Sequence, residues 1–494
     1  MILRFGMIRR FRFNLPQRIA AGLLALFLVQ GLWLTGHQTL TDRDYQYARC
    51  GRETWERPSA LTGYYTTCGN IHDGILGYRL AGLPLTLNLW AERGLDLFRK
   101  PEDRVFQQAG VPTDRSSSVG WEAGVPTDRS SSVGWEAGAP TDRSSSVGRE
   151  AGVPTDRSSS VGWEAGVPTD RSSSVGWEAG VSTSAAAHSS VGGEAGGETR
   201  ASELSTWELR HQLTHVLLLL RLPFLLAGCV LGGGLWWVTR RLYGNLGGYT
   251  ALGLYCFSPA MLRACVAPNA EVLAGLGVYG GVYTCIGVAH AMQGPRRQWR
   301  PRMVLLTAAF GAAAAAHIAA LPVVALLGLA AMLWVAEGRR AQVLPVVLAA
   351  VAGALVLVFA CYGFSPDAFS YVFRSAAGFL WVSLDPARRF FSTMPNAGIT
   401  VAAAAALVLY AGLKKSRYFG NTVPLLYTLV LMVLVMTGVP GSPWLWALPF
   451  LLTFVGGVFA DAYEGPRGRL ALGAAGAILA LQAVFCVLSL PGLL

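Results

Sequence analysis

Long apolar runs alternate with short polar connections along most of the chain. A helix needs about 20 apolar residues to cross the hydrocarbon core of a bilayer, so these runs predict membrane-spanning helices. The candidate spans are 17–36, 214–238, 246–263, 270–292, 303–317, 319–336, 343–361, 397–413, 421–439, 443–461 and 469–491. The pattern therefore predicts an all-α polytopic membrane protein with about 11 transmembrane helices. The short pair 303–317 and 319–336 could instead form a hairpin that does not fully cross.

The same pattern divides the chain into seven consecutive regions. We expect a basic cytoplasmic tail (1–16), the first transmembrane helix (17–36), a first external loop with amphipathic helices (37–108), a disordered repeat segment (109–200), transmembrane helices two to seven (201–361), a second external loop (362–396) and transmembrane helices eight to eleven (397–494). Leucines and aromatic residues recur among polar ones at 73–98, a pattern typical of a helix lying along the membrane interface.

Composition and charge indicate a lipid bilayer as the main partner and argue against nucleic acid. The chain is 52% hydrophobic and only 14% charged, with a net charge of +11, whereas soluble proteins average roughly a quarter charged residues. The basic residues gather in alternate connections, at 4–18, 240–241, 296–302, 339–340, 414–417 and 467–469. Because cytoplasmic loops carry the excess of Lys and Arg, we expect a multi-pass plasma (inner) membrane protein with a cytoplasmic N-terminus. The large loop and the C-terminus then lie on the outer, periplasmic side.

A tandem repeat of 14 residues interrupts the first external loop. Copies of AGVPTDRSSSVGWE start at Ala109, Ala123, Ala137, Ala151 and Ala165, and a divergent copy starts at Ala179. The unit has only Val and Trp as sizeable apolar residues, so it buries too little surface to offset the entropy of ordering. We interpret it as a disordered tether. The alternative is that the repeat has a defined structure or function, as a β-solenoid or a Trp-mediated binding array. Solenoid repeats, however, are usually longer and richer in aliphatic residues.

Cysteine spacing gives no metal-binding pattern. Six of the eight cysteines lie in apolar runs and are interpreted as small packing residues. Cys50 and Cys68 share the first polar loop. They could form a disulfide if that loop faces an oxidising compartment.

Two carboxylates follow the first apolar run, in the segment Thr41-Asp42-Arg43-Asp44-Tyr45. Carboxylates at a membrane surface can act as a general base, or could hold a divalent metal near a phosphate. Asp is also a favoured residue at the start of a helix, so a solvated turn is the plain alternative. We expect no other cofactor.

Two segments resemble the GT-C superfamily of membrane glycosyltransferases. Residues 44–56, followed by Pro58 and Gly63-Tyr64-Tyr65, are similar to the first external loop of those enzymes. The second segment resembles the ArnT/PMT-like branch and contains Arg221-Leu222-Pro223, Gly228, Trp236, Arg241-Leu242-Tyr243-Gly244, Ala251-Leu252, Phe257-Ser258-Pro259 and Pro268-Asn269-Ala270-Glu271. The resemblance covers 45–75 and 214–340 best.

This resemblance implies an enzyme that takes a sugar from a polyprenyl-phosphate donor. The acceptor would be a lipid, a glycan or a protein at the non-cytoplasmic face. Asp42, Asp44 and Glu271 are the implied catalytic carboxylates, because all three lie at outward helix ends in the expected topology. A base among them would deprotonate an acceptor hydroxyl.

Further polar side chains are candidates for binding the substrates. Arginine suits phosphate because its guanidinium forms two parallel hydrogen bonds. The arginine candidates are Arg43, Arg49, Arg79, Arg388 and Arg389, and anchoring at the interface is the alternative for each. The remaining candidates are the pair His72 and Asp73, which could relay a proton or simply shape a loop, and His317, which ends an alanine run.

Two other functions stay open from the sequence. A transporter or flippase for a lipid-linked or small solute usually shows charges or Pro/Gly breaks within the spans, often in paired halves. This chain shows few such charges and no internal pseudo-repeat. A non-catalytic membrane scaffold would use the repeat loop to bind a partner. Acidic residues directly beside the first span favour the enzyme.

Overall fold

A computed structural model describes residues 14–56, 68, 74–98, 206–293, 300–376, 388, 391–412, 418–436 and 443–493. Within those ranges every regular element is a helix, which confirms the all-α class. The α-helices are α1 Leu15–His37, α2 Asp42–Glu56, α3 Ile75–Phe98, α4 Thr206–Cys256, α5 Pro259–Val266, α6 Ala270–Met292, α7 Arg300–Ala316, α8 Ala320–Val335, α9 Arg340–Cys361, α10 Pro366–Ala376, α11 Ala397–Gly412, α12 Tyr418–Met436, α13 Pro443–Tyr463 and α14 Gly468–Ser489. Two short 3₁₀ helices are Met394–Asn396 and Leu490–Leu493.

Several predictions fall on residues outside this description. The repeats at 109–200 and most of the basic tail 1–16 are among them, so the disordered tether stays a prediction. His72, Asp73 and Arg389 also lie outside the described residues.

The length and apolar composition of the described helices identify a multi-pass membrane protein. Seven are long and apolar enough to cross a bilayer: Leu15–His37, Thr214–Cys256, Ala270–Met292, Arg340–Cys361, Met394–Gly412, Trp444–Tyr463 and Gly468–Leu493. Three shorter apolar helices accompany them, at Pro301–Ala316, Ala320–Val335 and Gly420–Leu434.

Helix α4 doubles back on itself at Gly244. Its apolar part covers 43 residues, which as a straight helix would be about 64 Å long, twice the thickness of a bilayer core. Gly244 has a φ of 81°, which favours glycine. The Tyr255 hydroxyl donates to the Gly228 carbonyl (2.7 Å), and Gly248 packs against Trp236. Residues on the two sides of the turn therefore meet, and the two arms correspond to the predicted spans 214–238 and 246–263.

The second arm ends earlier than the apolar pattern indicates. Helix α4 stops at Cys256, and α5 begins at Pro259. The Ser258 side chain accepts a hydrogen bond from the Met261 backbone N–H, and proline occupies the first helical position. Both features start a new helix, so the predicted span 246–263 is divided at this point.

Helix α13 lies at the centre of the bundle. In its most apolar 18-residue stretch 94% of the residues are buried, against 17% for α14. The α13 residues Trp446, Phe450 and Phe454 are fully buried. Helix α14 instead exposes side chains such as Leu488, which is 71% exposed. A lipid-facing helix buries one stripe only, so we assign α13 to the interior and α14 to the periphery.

Helices α2 and α3 form a tightly packed pair at one end of the bundle, which we call the α2–α3 end. A Cβ atom on Gly82 would lie 2.1 Å from the backbone carbon of Gly51, so neither position has room for a side chain. The rings of Tyr47 and Tyr78 stack with centroids 4.2 Å apart. A disulfide joins Cys50 to Cys68, with Cα atoms 5.4 Å apart. The pairing that the sequence left open is present.

Basic side chains at the other end bind the carboxyl end of α6. Arg302 donates to the Gly287 carbonyl (2.5 Å), and Arg339 donates to the Met292 carbonyl. The Met292 carbonyl is the last of α6 and has no partner within the helix, so a cation beside it is favourable. Residues that the loop pattern assigns to the cytoplasmic side therefore also close a helix end.

Candidate functional site

Asp44 lies in the first turn of α2, in a reciprocal cap with Thr41. The Thr41 backbone N–H and hydroxyl both donate to Asp44 Oδ2, at 3.0 and 2.7 Å. In return, the Asp44 backbone N–H donates to the Thr41 hydroxyl at 3.2 Å. A Thr-x-x-acid sequence favours this arrangement because it satisfies two backbone donors at a helix start. The local sequence thus explains where α2 begins.

The same carboxylate forms an ion pair with Arg221 of α4. Arg221 Nε donates to Asp44 Oδ1 (2.9 Å), and Nη2 donates to Oδ2 (2.5 Å). Both residues are buried, with 1% of Arg221 and none of Asp44 exposed. Burial would raise the pKa of Asp44, but the hydrogen bonds and charge of Arg221, together with Thr41, outweigh it and hold the pKa below its ordinary value. This two-pronged geometry is the strong form of an Arg–carboxylate contact.

Arg221 also binds the end of α1 and, through it, the end of the described chain. Its Nη1 donates to Gln38 Oε1 (3.0 Å), and its Nη2 donates to the Thr39 carbonyl (3.2 Å). Gln38 Nε2 in turn donates to the Leu493 carbonyl (2.9 Å). One guanidinium therefore connects α1, α2 and α4, and Gln38 adds the last 3₁₀ helix.

This environment does not suit a catalytic base or a divalent metal at Asp44. A base must reach its substrate, and Asp44 is fully buried with both oxygens engaged. A metal cation bound by the same oxygens would be repelled by the positive charge of Arg221. The geometry favours a structural role for Asp44.

Asp42 is the accessible carboxylate at this turn. Its side chain is exposed and makes no hydrogen bond or ion pair with any residue that the structure describes. Arg43 and Arg49 are exposed on the same helix. The Arg43 guanidinium carbon lies 5.7 Å from the centroid of the Tyr47 ring. These three side chains face away from the core, as a substrate-binding role requires.

Glu271 is held in the first turn of α6. The Asn269 side chain caps the helix by accepting from the Glu271 backbone N–H (3.0 Å). A carboxylate is stabilised there by the positive end of the helix dipole. Trp446 Nε1 at the start of α13 donates to Glu271 Oε2 (3.0 Å). The half-buried Glu271 side chain is therefore positioned by groups from two helices.

His317 contacts the same tryptophan. It lies between α7 and α8, and its ring meets Trp446 edge to face with centroids 5.8 Å apart. Glu271, His317 and Trp446 come from three distant parts of the sequence. We call them the Glu271 cluster.

The start of α3 brings the Glu271 cluster next to α2. Gly74 has a φ of 90°, and a Cβ there would lie 2.2 Å from the carbonyl oxygen of Ala316, the residue before His317. A Cβ on Gly77 would meet Tyr47 at 3.1 Å and Ala270 at 3.5 Å. The predicted external helices therefore pack directly against the segments that carry His317 and Glu271.

Two other predicted phosphate ligands, Arg79 and Arg388, have surroundings that differ from those of Arg43 and Arg49. Arg79 Nε donates to the Cys361 carbonyl at the end of α9 (2.6 Å), and its guanidinium lies 5.1 Å from the Trp55 ring centroid. These contacts suit an arginine that closes a helix end. Arg388 is exposed, and no described contact joins it to the Glu271 cluster or to α2.

Sequence reasoning missed the roles of Arg221, Gln38 and Trp446. A signal existed for Arg221, the one charged residue of the apolar run 216–238. A charge there is costly unless it is paired. Nothing local distinguishes Trp446 from Trp444 two residues earlier, because the partner of Trp446 lies 175 residues away.

Comparisons of the chain with family models, with curated proteins and with solved structures find no significant match. Fold and site together define the class as a multi-pass helical membrane protein with acidic side chains at the α2–α3 end of its bundle.

Proposed function

We propose that this protein is an integral membrane glycosyltransferase that moves a sugar from a polyprenyl-phosphate donor to a hydroxyl acceptor at the non-cytoplasmic face. The observation that carries the proposal is the Glu271 cluster, where a half-buried carboxylate is fixed at a helix end beside the membrane-proximal helices α2 and α3. The resemblance of 44–56 and 221–271 to GT-C enzymes supports it. A sugar donor that is anchored in lipid reacts at the membrane surface, so the catalytic carboxylate must lie at that surface too.

The proposed reaction needs a base and cations. The base takes the proton of an acceptor hydroxyl while that oxygen bonds to the anomeric carbon of the sugar. The bond from this carbon to the phosphate oxygen breaks, and its electron pair leaves with the polyprenyl phosphate. Glu271 and Asp42 are the candidate bases, because both are accessible. Arg43 and Arg49 are the candidate phosphate ligands, and Asp44 with Arg221 holds α2 in place.

The proposed topology has eleven crossings. The seven long apolar helices, the second arm of α4 and the three shorter apolar helices make up this number. The Cys50–Cys68 disulfide supports an oxidising environment for the α2–α3 end. Basic residues at the opposite end, among them Arg302 and Arg339, support a cytoplasmic location there. We therefore propose a plasma (inner) membrane protein with its α2–α3 end outside.

An assay with purified protein tests the function. The protein is incubated with a panel of polyprenyl-phosphate sugars and candidate acceptors, and released polyprenyl phosphate is measured by mass spectrometry. Consumption of one donor, with the sugar recovered on an acceptor, supports the transferase. A flippase would move a donor across a liposome bilayer without consuming it, and a scaffold would do neither. Either result contradicts the proposal.

A further inference from the structure

Trp446 combines complete burial with a single polar contact at the proposed site. Its ring lies in the first turn of α13, the most buried long helix of the structure, and none of it is exposed. Its one hydrogen-bonding group, Nε1–H, donates to Glu271 Oε2 at 3.0 Å. Burial of an indole usually requires a partner for this donor. Here the partner is the carboxylate itself.

The indole is held from two further sides. A Cβ on Gly275, one turn after Glu271, would lie 3.7 Å from Trp446 Cδ1, an ordinary contact distance, so the ring lies close along this face of α6. His317 contacts the ring from the α7–α8 connection. The direction of the N–H group is therefore fixed by packing.

We propose that Trp446 is a positioning residue that fixes the Glu271 carboxylate in its charged, hydrogen-accepting form for proton abstraction. This inference rests on the proposed function and adds a residue that neither the sequence motifs nor the topology identified. A rigid donor restricts the carboxylate to one orientation, and a hydrogen bond to the charged form favours ionisation. Both effects act through Glu271, so Trp446 need not touch either substrate.

Other ionisable groups at the α2–α3 end also affect the ionisation of Glu271. They include His317 on the α7–α8 connection, Arg79 on α3, Arg263 on α5 and Arg221 on α4. Helix α2 adds the buried Asp44 and Glu53 and the exposed Asp42, Arg43 and Arg49. Asp44 and Arg221 neutralise each other, and Arg79 binds a carbonyl. His317 is the ionisable member of the Glu271 cluster besides Glu271 itself, so its titration is separated by repeating each measurement in His317→Gln.

The test compares Trp446→Phe with Trp237→Phe. The first keeps an aromatic ring but removes the N–H donor. The second changes a tryptophan that is 57% exposed and contacts Arg241, far along α4 from Arg221. For Trp446→Phe we expect kcat to fall about 10-fold, the loss of one hydrogen bond to a charged group. KM for the donor should change less than about twofold, and the acidic limb of the pH–rate profile should move to higher pH. Trp237→Phe should match the wild type.

A second readout keeps this inference apart from the proposed function. Infrared titration of the carboxyl band that disappears in Glu271→Gln measures ionisation without any turnover. Trp446→Phe should shift that titration to higher pH even if no donor is consumed, in which case the transferase proposal fails alone. An unchanged titration would overturn the inference. A lower unfolding temperature with an unchanged pH profile would also overturn it, because Trp446 would then only fill space.

Discussion

The Asp44 carboxylate and the Arg221 guanidinium meet through two parallel hydrogen bonds of 2.9 and 2.5 Å, in a position closed to solvent. The pair joins the helix after the first span to the first arm of the α4 hairpin. Asp42 lies two residues from it and is exposed. Two acids of one short segment therefore have different environments. One is fixed inside the protein, and the other is exposed to solvent.

Removing one partner of this pair should destabilise the protein strongly. Arg221→Met leaves a buried carboxylate without its cation, and the free energy of unfolding should fall by about 3–5 kcal/mol. Thermal unfolding in detergent measures the effect as a lower transition temperature. Asp44→Asn should also be destabilising, because it leaves a buried guanidinium without its counter-charge.

The double variant distinguishes an ion pair from simple packing. Asp44→Asn with Arg221→Met should recover part of the loss, since no isolated buried charge remains. Losses that merely add would show that the two residues contribute independently. Arg49→Met, an exposed arginine on α2, is the matched control and should unfold like the wild type.

Acidic pH should lower the stability of the folded protein, because it protonates the Asp44 carboxylate. The pKa of Asp44 is lowered in the folded state, from an ordinary value of 3.8. Its stabilising effect is therefore complete well above 3.8 and is lost as the pH falls towards the folded-state pKa. Unfolding temperatures measured from about pH 7 down to about pH 3 should fall more steeply for the wild type than for the double variant. Parallel curves would contradict this assignment.

Reduction of the Cys50–Cys68 disulfide should destabilise the α2–α3 end. The bond closes a loop of 18 residues in sequence separation, and a loop of about that length is worth roughly 3 kcal/mol by restriction of the unfolded chain. Mild reductant, or Cys50→Ala with Cys68→Ala, should lower the unfolding temperature. Adding reductant to that double variant should change nothing further. An equal response of the wild type and the double variant to reductant would show that the bond does not form.

A side chain at Gly82 should separate α2 from α3. The Cβ of Gly82→Ala would lie 2.1 Å from the Gly51 backbone, a contact that requires the helices to move. We expect a lower unfolding temperature and reduced transfer activity. Gly36→Ala is the matched control, because nothing lies within 4 Å of its added Cβ. If both variants behaved alike, the close crossing of the two helices would be contradicted.

Hydropathy predicted the helical class and most of the apolar helices, because burial in lipid imposes a long apolar run on each of them. The break at Ser258 escaped it, since the residues on both sides are apolar and only the Ser-Pro start distinguishes two helices from one. The turn at Gly244 was anticipated by the basic pair at 240–241. The local sequence pattern was thus sufficient to predict the long apolar helices that a bilayer requires.

The site was less accessible to sequence reasoning. Asp42, Asp44 and Glu271 were identified by their position at helix ends, but position alone does not tell a buried acid from an exposed one. That difference depends on Arg221, 177 residues after Asp44 in the chain. The contact of Trp446 with Glu271 is equally distant. Such pairings follow from how helices pack, which a single sequence does not reveal.

The central claim is that the exposed or half-buried acids at the α2–α3 end perform sugar transfer. It is tested most directly by measuring released polyprenyl phosphate from the wild type, Asp42→Asn, Glu271→Gln and the control Asp367→Asn, an exposed acid in the first turn of α10. Loss of a general base costs about 10²- to 10⁴-fold, so at least one of the first two variants should lose activity on that scale while remaining folded. The control should remain active. Full transfer by both Asp42→Asn and Glu271→Gln, or no transfer by the wild type with any donor, would contradict the claim.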